Sequence, residues 1–110
     1  MKLLSFETDN GPSWGICDEG GRVIDGVALT SGRFASLRAV LAAGALDEVA
    51  RQVRSAAPTL VLADLRLLPV IPDPGRILCI GLNYEEHRRE TNREPTGEPT
   101  VFLRTAGSQV

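Results

Sequence analysis

Three prolines and a glycine fall within seven residues at Pro69-Val-Ile-Pro72-Asp-Pro74-Gly75. Proline fixes φ and has no backbone N–H to donate, so this stretch can be neither a helix nor a central strand. It predicts an extended connector over 69–75. The connector divides the chain into a small domain over 1–68 and a second piece over 76–110.

The first piece reads as α+β. Lys2 to Glu7 is a predicted strand, closed by the turn cluster Asp9-Asn10-Gly11-Pro12. Trp14 to Cys17 is a second strand, and Asp18-Glu19-Gly20-Gly21 is a hairpin turn in which glycine supplies positive φ. Arg22 to Asp25 returns, giving an antiparallel meander with Trp14 as its core anchor. Two helices are expected next. Phe34, Leu37 and Leu41 share one face, Gly44 breaks the run, and Leu46, Val49 and Val53 repeat the spacing up to a stop at Pro58. Asp47 and Glu48 open the second helix while Arg51 and Arg54 close it, an order that suits the helix dipole. Core packing, with no chemistry, accounts for both stripes.

After the connector, Arg76 to Ile80 is a near-continuous apolar run, as expected of a strand buried on both faces. It ends at Gly81. A charged segment follows from Asn83 to Glu98, and Thr100 to Leu103 is a last short strand.

The chain has 12 Lys and Arg against 14 Asp and Glu, a formal charge of -2. Such a balance lacks the clustered cations on which nucleic-acid binding rests. No apolar run approaches the roughly 20 residues of a membrane span, and the start MKLLSFETDNG turns polar too soon for a secretory signal. Cys17 and Cys79 lie far apart, form no metal motif, and are expected as buried thiols of a reducing cytoplasm.

The chemistry-bearing residues cluster around the single histidine, His87. Asn83 is a good N-cap and Glu86 stands where a capping box places its acid, so a helix is expected from Tyr84. Glu90 is then at i+3 from His87 and on the same helical face. A carboxylate within reach of one imidazole nitrogen fixes the tautomer and raises the basicity of the other, which makes a general base. The helix N-terminus opposes this, since its dipole disfavours imidazolium. The bland alternative is a solvated surface pair of little energetic weight. Arg88, Arg89 and Arg93 could grip a substrate carboxylate, or could simply balance Glu85, Glu86, Glu90 and Glu94. Nucleotide binding is disfavoured, because RILCIGLNY offers one glycine and no phosphate-cradling loop.

The stretch LLPVIPDPGRILCIGLNYEEHRRE, followed by EPTVFLR, resembles the entry to the catalytic domain of the fumarylacetoacetate hydrolase family. The matching positions are Gly81, Asn83, Tyr84, His87 and Glu90, then Pro99, Phe102 and Arg104. The first 68 residues resemble the small N-terminal domain of bacterial members. The resemblance implies a β-rich catalytic domain of which 76–110 would be only the first, truncated strands. It implies His87 and Glu90 as a catalytic dyad and Arg104 as a substrate-binding residue; Arg88, from the arginine run above, is the other substrate-binding candidate. Arg104 stands where the family usually has lysine, and its planar fork is not a point-charge ammonium. It also implies Mg²⁺ or Mn²⁺ and a small oxo-acid substrate. The expected reaction is hydrolysis of a carbon–carbon bond in a β-dicarbonyl acid such as an acylpyruvate, with the dyad activating water; decarboxylation or isomerisation of related oxo-acids is the near alternative. The family's metal-binding carboxylates come later in its sequences, and Asp64, Asp73 and Glu98 do not match them, so no metal ligand is assigned here. A homodimer is implied, and the chain by itself is expected to be inactive. The alternative of another class is a non-catalytic binding or assembly module centred on 1–68.

Overall fold

The computed structural model describes residues 1–81 and 100–108. The fold is α+β, built on antiparallel sheets, and it falls into two compact units, Met1–Asp73 and Pro74–Val110.

In the first unit, β1 (Lys2–Thr8), β2 (Gly11–Cys17) and β3 (Arg22–Asp25) form the expected meander. The first turn is tighter than its four-residue sequence signal. Thr8 pairs with Gly11 across Asp9 and Asn10, the Thr8 hydroxyl donates to the Gly11 carbonyl at 2.7 Å, and Gly11 takes φ 101°. So β2 begins at Gly11, not at Trp14. Pro12 is tolerated there because β3 reaches only Gly15 to Cys17, leaving that side of Pro12 without a neighbour strand. The second turn forms as expected, with Gly21 at φ 76° and the Asp18 N–H donating to the Arg22 carbonyl at 3.0 Å.

Three helices follow rather than two. The unexpected one is α1 (Gly26–Leu29), capped by Asp25, whose carboxylate accepts from the Ala28 N–H at 2.9 Å. It is too short to show a period in sequence. α2 (Leu37–Ala42) starts at the Ser36 cap, so Phe34 packs from the preceding loop. Its buried face is Leu37 and Val40; Leu41, expected in the core, is 46% exposed, because the core lies on the Val40 side of this short helix. α3 (Leu46–Val53) buries Val49 with Leu46 and Val53 beside it, as the spacing predicts. It ends well before Pro58: Arg54, Ser55 and Ala56 donate to carbonyls three residues back, which tightens the last turn.

Two short strands complete the sheet. β4 (Leu60–Val61) pairs with β3, and β5 (Leu67–Leu68) pairs with β1 on the opposite edge, giving the order β4-β3-β2-β1-β5. The chain between them packs over one face of the sheet. Leu62 and Leu65 cover Leu4, Phe6, Cys17 and Val23 there. The other face carries Trp14 and Ile16 against Phe34, Leu37, Val40 and Val49. The alternation within β1 and β2 sorts side chains between these two cores. Each fully buried large side chain, Trp14, Phe6, Leu37, Val23, Val40 and Val49, contributes about 1.5–3 kcal/mol or more of burial.

The second unit contains the hairpin of β6 (Ile77–Gly81) and β7 (Thr100–Arg104), in register from Ile77 opposite Arg104 to Gly81 opposite Thr100. The expectation of a strand buried on both faces is not met. Leu78 and Leu103 pair across the hairpin and each is 68% exposed, with Ile80 and Val101 exposed on the same face. An apolar run signals burial only where a layer covers each face, and β6 has a single hydrogen-bonded neighbour among the described residues. Cys79, expected to be buried, is half-buried; Cys17 is buried, and both thiols are free. No described helix is long and apolar enough to cross a membrane.

Candidate active site

β6 ends at Gly81 and β7 begins at Thr100, directly opposite, so the segment 82–99 leaves and re-enters the hairpin at one end. The candidate dyad His87 and Glu90, the candidate substrate residue Arg88, and the expected helix start at Asn83 and Tyr84 all belong to that segment and lie outside the described residues. At its entrance, a Cβ on Gly81 would meet the Phe102 ring at an ordinary 3.4 Å. Among the described residues, packing therefore does not require glycine there.

Arg104 is described. It pairs with Ile77 at the end of the hairpin away from Gly81 and Thr100. Four residues of strand put it about 13 Å along the ladder from Thr100. Its side chain is exposed and turned onto the following turn: Nε donates to the Ser108 hydroxyl at 3.1 Å, and Nη2 donates to the Ser108 carbonyl. The Ser108 hydroxyl in turn donates to the Thr105 carbonyl at 2.7 Å. A substrate anion reaching Arg104 would compete with Ser108 for the guanidinium. Nothing in the sequence signals this internal engagement.

The described residues do not fit a divalent cation. Such an ion needs several converging oxygens, and among the described residues no three His, Cys, Asp or Glu side chains converge. Four of the described acids are engaged by other groups. Asp18 pairs with Arg22 at 2.8 Å, Glu48 with Arg33 at 2.7 Å and Asp73 with Arg38 at 3.0 Å, while Asp25 caps α1.

The first unit also holds an open cleft of about 480 Å³. Ile16, Ile24, Val53 and Pro58 line it, with Lys2, Asp18 and Arg22 among its polar groups. The Arg22 backbone N–H, followed by its guanidinium, holds the Asp18 carboxyl below the usual carboxylate range. The cleft brings no nucleophile to a base. Its one thiol, Cys17, donates to the Asp18 carbonyl at 3.2 Å.

No family model matches the chain. Curated proteins do. The whole chain aligns with the mitochondrial oxaloacetate tautomerase fahd2 of Xenopus laevis at 32% identity over 115 residues, which covers 36% of that protein. It aligns with the mitochondrial oxaloacetate tautomerase FAHD2A of Bos taurus at 30% identity over 115 residues, again across the whole chain and 37% of the relative. A stretch of 30 residues, 27% of this chain, is 53% identical to the fumarylacetoacetate hydrolase domain-containing protein 2 homolog of Dictyostelium discoideum and covers 10% of it. The chain thus spans about a third of the length of the curated relatives it matches end to end.

Proposed function

We propose that this chain, which belongs to the fumarylacetoacetate hydrolase family, supplies the N-terminal part of an enzyme that moves a proton on a small oxo-acid. The observation that carries this reading is the end-to-end match to two proteins named as oxaloacetate tautomerases, in a chain whose own residues 81–104 hold the Gly-x-Asn-Tyr-x-x-His-x-x-Glu and Pro-x-x-Phe-x-Arg pattern.

In this reading Glu90 accepts the N–H of one His87 nitrogen and fixes the ring's tautomer, so that the other nitrogen is free to act as base. For oxaloacetate the proton moved is the one exchanged between C3 of the keto form and the C2 oxygen of the enol. The same pair could instead deprotonate water to cleave an acylpyruvate-like β-dicarbonyl acid. The relatives' names favour tautomerisation as the first reading and hydrolysis as the second. The free thiols of Cys17 and Cys79 suit a reducing compartment, and we propose the cytoplasm.

The test joins residues 1–110 to the remainder of the Xenopus protein beyond its aligned third. The decay of enol oxaloacetate is followed by ultraviolet absorbance, and acylpyruvate cleavage is followed in parallel. The joined protein is expected to ketonise oxaloacetate, and His87→Ala is expected to lower kcat by about 10²–10⁴-fold. The 110-residue chain alone is expected to be inactive. Full activity in His87→Ala, or turnover by the chain alone, would overturn the reading. Acylpyruvate cleavage without ketonisation would install the second reading in its place.

A further inference from the structure

The proline-rich segment is held at successive points along its length. The buried Ser5 hydroxyl of β1 donates to the Val70 carbonyl at 2.8 Å. Ile71, half-buried, packs against the cluster of Trp14, Leu37 and Val40. From α2, Arg38 Nη1 donates both to the Asp73 carbonyl at 2.8 Å and to the Asp73 carboxylate at 3.0 Å. The three anchors come from β1, from the core beneath the helices, and from α2.

The sequence stiffens the same stretch. Pro69, Pro72 and Pro74 fix their own φ, and Leu68, Ile71 and Asp73 each precede a proline and are thereby kept extended. From Leu68 to Pro74 only Val70 escapes both constraints. A chain with so few conformations loses little entropy when it docks. The anchors differ in weight. The Arg38–Asp73 pair is exposed on both sides and counts for little in water, whereas the Ser5 bond is buried and Ile71 removes apolar surface from solvent.

We propose that Pro69–Asp73 is a strap latched to the first unit, docked by Ser5 and Ile71 and tied at its end by Arg38, so that free backbone begins only at Pro74. This goes beyond the functional reading and does not depend on it.

The test is ¹⁵N relaxation of the 110-residue chain, read at the amides of Val70, Ile71, Asp73 and Gly75 against those of Leu4 and Ile16 in the sheet. Order parameters of about 0.85, equal to the sheet, are expected through Asp73, with a step down at Gly75. Ile71→Ala and, independently, Ser5→Ala should lower Val70 to Asp73 to about 0.6 or less while the sheet amides hold. Arg38→Ala should loosen Asp73 alone, and exchanging the charges as Arg38→Asp with Asp73→Arg should restore it. Unchanged Trp14 fluorescence establishes that each variant is folded. A step down already at Val70 in the unsubstituted chain, or a strap that stays rigid in both Ile71→Ala and Ser5→Ala, would overturn the proposal.

Discussion

Gly26 lies flat against the indole of Trp14: a Cβ placed on this glycine would fall 2.4 Å from both Cδ2 and Cε2 of the ring. The ring cannot easily yield. It is fully buried, and its Nε1 donates to the Phe34 carbonyl at 2.8 Å. The turn from β3 into α1 therefore rests on a missing side chain. Gly26→Ala should destabilise the first unit by about 1–3 kcal/mol or more through overpacking, visible in the thermal melt followed by the single tryptophan. An unchanged melt would mean that the indole moves aside freely.

α2 depends on its cap. The Ser36 hydroxyl accepts from the Ala39 N–H at 3.2 Å, and no acidic residue occupies the first turn to share that task. Ser36→Ala should cost about 1 kcal/mol, and Ser36→Asp should recover most of it. Urea unfolding midpoints at matched slope would measure both.

The Asp18 carboxyl titrates below the usual carboxylate range, chiefly because the Arg22 backbone N–H donates to its ionised form. A depressed folded pKa stabilises the fold at pH above the unfolded value, and that contribution disappears as pH falls through the folded one. Asp18→Asn should therefore lower stability at neutral pH and leave it unchanged in strong acid. The effect should be small and should fade with salt, because the pair is exposed. A stability difference that persists below the titration of Asp18 would assign the effect to something other than its charge.

The hairpin displays Leu78, Ile80, Val101 and Leu103 on one face. A two-stranded ribbon is marginal in water, and an exposed apolar face invites association. The 110-residue chain should associate with rising concentration in light scattering, and Leu78→Lys with Leu103→Glu should suppress it while keeping the cross-strand pair. A monodisperse monomer at high concentration would contradict this.

Much of the first unit was legible in the sequence because its signals were local. Gly21 announced the second hairpin, Trp14 announced the core, and the spacing of Leu46, Val49 and Val53 announced α3. What stayed hidden had no period to read. α1 is one turn long, and β4 and β5 are two residues each, placed only by their partners on β3 and β1. Spacing fixes a stripe only to within part of a turn, so it points to Leu41 where packing buries Val40 instead. At the candidate site, the motif points to His87, Glu90 and Arg104 and the arginine run to Arg88, but of these only Arg104 falls among the described residues. Its engagement with Ser108 depends on how the chain turns after β7, which no residue pattern encodes.

The most direct measurement of the central claim is a double-mutant cycle in kcat, with His87→Ala, Glu90→Gln and their combination in the joined protein acting on enol oxaloacetate. If the acid works only through the imidazole, both single variants lose activity and the combination is no worse than His87→Ala alone. Losses that multiply, or a Glu90→Gln variant as fast as the unsubstituted protein, would show that the two residues do not act as one unit.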